Sequence, residues 1–214
     1  MSVKPQALLF DWDNTLVDSW ECIRESYNRT FRHFGMPDWS MDEIKAKVAK
    51  SMRDSFPQMF GDRWEEAGRV FSETYAAIHL SYLQPLPGAA EMLQRLHDAG
   101  LYLGVVSNKR GHFLRQEATA LGWDRYFSRL VGAQDAEQDK PHTAPVTMAL
   151  SGSGLQTGPH IWFVGDAAID MECARNSGCC AVLFRPDQVV EEEFQNSPPD
   201  FQITCCAELA GLAL

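Results

Sequence analysis

The stretch Ala7-Leu8-Leu9-Phe10-Asp11-Trp12-Asp13-Asn14-Thr15-Leu16-Val17-Asp18-Ser19 decides how the rest of the chain is read. Four apolar residues, Ala7 to Phe10, run without a polar break and stop at an acid. That is the pattern of a strand buried on both faces where it emerges from a parallel sheet. Asp11 and Asp13 flank Trp12 at its tip. Two carboxylates held close repel each other, and a bound cation relieves the repulsion. Oxygen donors at this density suit a hard ion, magnesium above all. An isolated Asp-x-Asp is equally compatible with an acid-rich turn, so the remainder of the chain has to decide.

Working outward, 214 residues suit one domain, or one domain carrying a modest insertion, and 45% hydrophobic residues suffice for a core. The 19 basic residues against 29 acidic ones leave a net charge of −10, which argues against nucleic acid and anionic membrane surfaces as partners. No apolar run approaches the ~18 residues of a membrane span, and the opening residues Met1 to Gln6 lack the apolar segment of a signal peptide. The six cysteines, Cys22, Cys173, Cys179, Cys180, Cys205 and Cys206, form no Cys-x-x-Cys pattern. They read as reduced, mostly buried thiols of a cytoplasmic protein.

Two textures follow the opening strand. From Trp20 to Gln84 the periodicity is helical. Cys22, Ile23, Tyr27, Phe31 and Phe34 form one apolar stripe, ended by Gly35 and Pro37. Ser40 and Glu43 make a capping box for a second helix. Residues 62–83 read as another helix with Trp64, Val70, Phe71, Tyr75, Ile78 and Leu83 inward, and the segment from Ala49 through Arg53 and Pro57 to Gly61 reads as a polar, basic loop. No strand is expected between residues 18 and 100. After Pro85-Leu86-Pro87-Gly88 helices and strands alternate. Helices are expected at 88–99, 111–121, 143–151 and 167–177, and strands at 101–106, 129–132, 160–164 and 179–184. An edge strand near 201–204 and a short closing helix finish the chain.

This alternation implies an α/β fold, a doubly wound parallel sheet, with a helical insertion at 18–85 interrupting a core made of 1–17 and 86–214. In such sheets ligands bind beyond the carboxyl ends of the strands, where the strand order reverses. Asp11 and Asp13 follow the first strand, Ser107 the second and Asp166 a later one, while Lys140 precedes a helix on the same side. Connectivity alone pools them into one site.

The ordered set Asp11-Trp12-Asp13-Asn14-Thr15, Ser107-Asn108-Lys109, Asp139-Lys140-Pro141 and Gly165-Asp166 to Asp170 resembles the four motifs of the haloacid dehalogenase superfamily, and specifically phosphoglycolate-phosphatase-like members with a helical cap after the first motif. The resemblance covers about residues 7–185. It implies a phosphomonoester hydrolase using Mg2+ held by Asp11, Asp166 and the backbone carbonyl of Asp13. Asp11 is then the nucleophile, making an aspartyl-phosphate and splitting one hard step into two. Asp13 is the general acid and later the base. Ser107 holds a phosphoryl oxygen, and Lys140 offsets the charge that develops on the phosphoryl group. Asp170 stands behind the metal ligands and orients Lys140 or a water.

Asn108 and Lys109, with Lys50 and Arg53 of the insertion, are the candidate substrate-binding residues, an Arg fork being suited to an anionic group. Trp12 is expected at the cleft mouth. Asn14, where relatives carry glycine, can keep the turn because Asn tolerates left-handed dihedrals, and Thr143 replaces a second proline after Lys140. The implied partner is a small phosphate ester, with the protein a monomer or homodimer. A phosphomutase on the same residues, or a non-catalytic relative that binds a ligand or partner in the cleft, remain alternatives.

Overall fold

The structure is a computed structural model that describes residues 4–48, 51–186 and 191–214. It divides into two compact units, one made of Met1–Val17 with Pro85–Leu214 and the other of Asp18–Gln84.

The first unit is built on a six-stranded parallel sheet. Its strands are β1 (Ala7–Phe10), β4 (Tyr102–Arg110), β5 (Arg129–Ala133), β6 (Ile161–Gly165), β7 (Cys180–Phe184) and β8 (Phe201–Ile203), in the spatial order β5-β4-β1-β6-β7-β8. The short strands β2 (Val17–Asp18) and β3 (Gln84–Pro85) pair with each other where the chain passes between the units. Among the described residues they are the one place where the expectation of no strand between 18 and 100 fails, and with two residues each they carry no periodicity to read.

The apolar run behaves as its composition requires. Ala7, Leu8, Leu9 and Phe10 are all fully buried, so both faces of β1 are covered. Leu8, Leu9 and Phe10 each contribute about 1.5–3 kcal/mol by leaving water. Helices α5 (Ala89–Asp98), α6 (Gly111–Ala120) and α7 (Ala144–Leu150) lie against β4 or β5, and α8 (Ala168–Asn176) lies against β6 and β7. The closing helix α9 (Cys206–Ala213) packs on α5. β4 runs four residues beyond its expected end, through Ser107, Asn108, Lys109 and Arg110, with a register irregularity between Val106 and Arg110. The polar character of those residues hid the continued pairing.

Register positions the site. Phe10 faces Val105 on one side and Val164 on the other, and the Asp11 backbone N–H donates to the Val164 carbonyl at 2.8 Å. Asp11 is therefore level with Val106 and Gly165, and Ser107 and Asp166 come one residue later. From β1 the chain goes outward to β4 and β5, then crosses back to β6 and continues to β7 and β8. β1, β4 and β6 thus frame the switch point at which such sheets bind ligands.

The second unit is helical: α1 (Trp20–His33), α2 (Met41–Lys47), α3 (Met52–Phe60) and α4 (Trp64–Tyr82). Its core is aromatic, with Tyr27, Phe31, Phe56 and Phe71 buried and Tyr27 and Phe56 in ring contact with Phe71. The Ser40–Glu43 capping box forms. Two expectations are corrected here. The loop around Met52–Phe60 is a helix, because Phe56 buries itself on its inner side and outweighs the missing N–H of Pro57. Trp64 opens α4 on the outside, 36% exposed, and Ala67 and Gly68 take the inner positions of the first turns. No helix among the described residues is long and apolar enough to cross a membrane.

Candidate active site

Asp11 is the first residue past β1, and it is only 8% exposed. The Lys140 ammonium lies 2.8 Å from Asp11 Oδ1 and donates to Asp170 Oδ1 at 2.7 Å. Lys140 is delivered by the segment after β5 and locked there by Asn108. The Asn108 side chain accepts from the Lys140 N–H at 3.0 Å and donates to its carbonyl at 3.3 Å. Asp170 lies in the first turn of α8, fully buried, and its Oδ2 accepts from the Ala167 N–H at 3.1 Å, capping that helix. Gly165 makes this approach feasible: a Cβ there would come within 2.4 Å of the Asp170 carboxyl. Asp166, at the end of β6, accepts from the Thr15 hydroxyl at 3.2 Å.

Oxygens of Asp11, Asp166 and Asp170 all fall within 4.8 Å of one another. Lys140 is ion-paired with Asp11 and Asp170, and Asp166 lies beside them. Burial raises the Asp11 carboxyl from 3.8 to about 6, Lys140 lowering it and Asp170 and Asp13 raising it further. Burial likewise raises Asp166 well above the usual carboxylate range, with Asp170 and Asp11 adding to the effect. For Lys140, burial disfavours the charged form, but Asp11 and Asp170 outweigh it and hold the ammonium firmly protonated. An all-oxygen donor set with surplus negative charge fits a hard divalent cation. The cluster combines Asp11 and Asp166 with Asp170; the ligand expected of Asp13 is its backbone carbonyl, and its side chain is engaged elsewhere.

That engagement forms a second cluster. Asp13 Oδ1 lies 2.6 Å from the Lys109 ammonium, which in turn sits 2.5 Å from Glu117 Oε2 on α6. The Trp12 indole N–H donates to the same Glu117 oxygen at 2.7 Å. Trp12 is fully buried and packs edge-on against Trp123 and Phe127, so the expected place at the cleft mouth is corrected: the ring lies in the core. Of the two expected substrate-binding residues beside Ser107, Lys109 is a buried ion-pair partner of Asp13 and Glu117, and Asn108 bonds the Lys140 backbone on both sides. Ser107 is buried at the sheet edge, and its hydroxyl accepts from the Lys109 N–H at 3.2 Å.

Arg53 lies on α3 in the helical unit, and Lys50 lies outside the described residues. Asn14 adopts φ +61°, the left-handed conformation its side chain tolerates. Glu117 and Thr15 escaped the sequence reading. Glu117 carried a signal, an acid within the apolar Phe113-Leu114-Ala118 face of α6, whereas Thr15 stood in the first motif with no role given to it.

A doubly wound sheet with acids, a buried lysine and a serine at its switch point has the ligand-binding arrangement of an α/β enzyme. The haloacid dehalogenase-like hydrolase profile matches residues 8–184, and the chain belongs to that family. It is 29% identical to a phosphoglycolate phosphatase of Xanthomonas campestris pv. campestris, over 83% of this chain and 82% of the relative. It is 25% identical to the pyrophosphatase PpaX of Anoxybacillus flavithermus, over 96% and 95% of the two chains. In fold it superposes on a haloacid dehalogenase-like family hydrolase from Streptococcus pneumoniae with a TM-score of 0.84, at 24% identity and with 98% of each chain covered.

Proposed function

We propose that the protein is a magnesium-dependent phosphatase that hydrolyses a small phosphorylated metabolite, a phosphomonoester of the phosphoglycolate kind, through an aspartyl-phosphate on Asp11. The observation that carries this reading is the Asp11 carboxylate at the strand tip, 2.8 Å from the buried Lys140 ammonium, with Asp166 and Asp170 beside it. Family membership and the names of the relatives point the same way.

In the first step an Asp11 oxygen attacks phosphorus and the bond to the leaving oxygen breaks, with Asp13 giving that oxygen its proton. In the second, Asp13 takes a proton from water, the water oxygen attacks phosphorus, and the bond to Asp11 breaks. Lys140 faces the transferring group, and the Ser107 hydroxyl is at the same sheet edge to hold a phosphoryl oxygen. Asp11 and Asp166, with the carbonyl of Asp13, would hold Mg2+, whose chemistry is to neutralise phosphoryl charge and screen the nucleophile from it. Asp170 holds Lys140 in register. The helical unit carrying Arg53 and Lys50 is assigned to substrate choice, as a cap.

Phosphate release from phosphoglycolate, pyrophosphate, phenyl phosphate and sugar phosphates by purified protein tests the reading. Magnesium-dependent release that disappears in Asp11→Asn is expected. Isomerisation of a sugar phosphate without release would replace hydrolysis by phosphoryl transfer, and full activity in Asp11→Asn would remove the nucleophile assignment.

A further inference from the structure

We infer that Lys109, Glu117 and Trp12 form a positioning relay that fixes the Asp13 carboxyl for proton transfer to the leaving group. The inference deepens the reading of Asp13 as general acid and rests on it.

The relay is a chain of short contacts inside one unit. Trp12 Nε1–H reaches Glu117 Oε2 at 2.7 Å, Glu117 Oε2 reaches Lys109 Nζ at 2.5 Å, and Lys109 Nζ reaches Asp13 Oδ1 at 2.6 Å. Burial falls off along it in one direction. The Glu117 and Lys109 side chains are 2% and 4% exposed, while that of Asp13 is 18% exposed. The interior end is rigid, because Trp12 is wedged between Trp123 and Phe127, and the outer end holds the group that must meet substrate. An acidic side chain on the apolar face of α6 is costly without such partners. Lys109 holds the Asp13 Oδ1 atom and so fixes the carboxyl.

Packing alone would not need this arrangement. Trp12 and Trp123 would fill the same space with an apolar residue in place of Glu117, and a buried ion pair is weak evidence for stability. The relay instead joins two sequence-distant stretches, 12–13 and 109–117, at the single carboxyl that the reaction asks to be aimed.

The test separates aim from folding by leaving-group dependence. A general acid contributes about 10²–10⁴-fold when the departing oxygen is basic. Phenyl phosphate has such a leaving group, with a pKa of about 10, as for tyrosine. The 2,4-dinitrophenyl ester, whose phenolate departs unaided, does not. Trp12→Phe, which keeps an aromatic ring in the core, and Glu117→Gln are compared with wild type and Asp13→Asn, with thermal melts checking folding.

Both relay variants are expected to lose at least about tenfold in kcat/KM on phenyl phosphate and under about threefold in kcat/KM on the dinitrophenyl ester, the smaller counterpart of the Asp13→Asn pattern. That ratio reports the first step and excludes the shared attack of water on phospho-Asp11. Equal losses on both esters, or none, in folded Trp12→Phe would overturn the relay while leaving Asp13 in its role. Asp13→Asn without leaving-group dependence would overturn the general-acid reading and the relay together.

Discussion

Two lysines in the α/β unit each stand between two carboxylates, and they close their charge differently. Lys109 is shared by Asp13 and Glu117, and the Trp12 N–H supplies a further donor to Glu117 from the protein itself. Lys140 is shared by Asp11 and Asp170, and a third carboxylate, Asp166, lies beside them. Buried acids in excess of their cations are expensive, and here the excess is concentrated at the tip of β1, where a ligand can reach it. Surplus charge thus marks the half of the site that needs a cation from solution. The half completed by an indole is finished within the fold.

The largest effect should come from the surplus side. Asp11→Asn keeps the size of the side chain and removes the nucleophile, and losses of about 10⁴-fold or more in kcat are expected, as when a covalent nucleophile is removed from other enzymes. The measurement is phosphate release with phenyl phosphate under saturating Mg2+. Retention of more than a few per cent of activity would break the assignment.

Next in size is removal of each lysine. Lys140→Met and Lys109→Met each strand two acids, and breaking a buried pair from one side costs about 3–5 kcal/mol. Both variants should unfold at lower denaturant. Mg2+ should recover stability in Lys140→Met and leave Lys109→Met no better off than its effect on wild type, because among the described residues only the Asp11 cluster offers converging oxygens. Equal recovery in both would erase the distinction between the two clusters.

The metal itself gives a smaller, pH-dependent shift. The Asp11 carboxyl is raised by burial from 3.8 to about 6, and Asp166 is raised by burial as well. For an acid raised in the fold, the unfolded chain ionises first as pH climbs. Its contribution to stability is present below the ordinary value and is lost as pH rises through about 6. A divalent cation binds the ionised form, so its stabilisation grows over the same interval. At a hundredfold excess over its dissociation constant Mg2+ adds about 2.7 kcal/mol, or roughly 5–10 °C in melting temperature. The increase should be large at pH 7.5 and small at pH 5, and an equal increase at both would sink the link to these two carboxyls.

The difference between the clusters also explains what was legible beforehand. The surplus cluster announces itself in sequence, because acids at strand ends interrupt apolar runs, as Asp11 does after Phe10 and Asp166 after Gly165. The parallel sheet was readable for the same reason: each strand is a short apolar run bounded by polar residues. The closed cluster is nearly silent. Trp12 between two acids looks like a cleft residue, and only the three-dimensional course of α6 brings Glu117 to its N–H. The segment around Pro57 fails in the opposite way: a local breaker signals a loop, and the burial of Phe56 overrides it. Lys109 belongs to the expected motif, but the sequence does not show that its ammonium meets both Asp13 and Glu117, because a lysine's reach does not say which of its neighbours it will meet.

The smallest effect tests the turn that joins the two clusters. Asn14 follows Asp13 directly, holds φ at +61°, and its N–H donates to the Val17 carbonyl at 2.6 Å. Asn14→Ala should cost about 1–2 kcal/mol, the penalty for a Cβ-bearing residue without Asn's local hydrogen bonding in the left-handed region, whereas Asn14→Gly should be close to neutral in the folded state. If the turn serves to set Asp13 against Lys109, Asn14→Ala should also lower kcat/KM on phenyl phosphate more than on the dinitrophenyl ester, and Asn14→Gly should not. Stability loss without that asymmetry would mean that the turn supports the strand end as a whole, and that the aim of Asp13 comes from Lys109 alone.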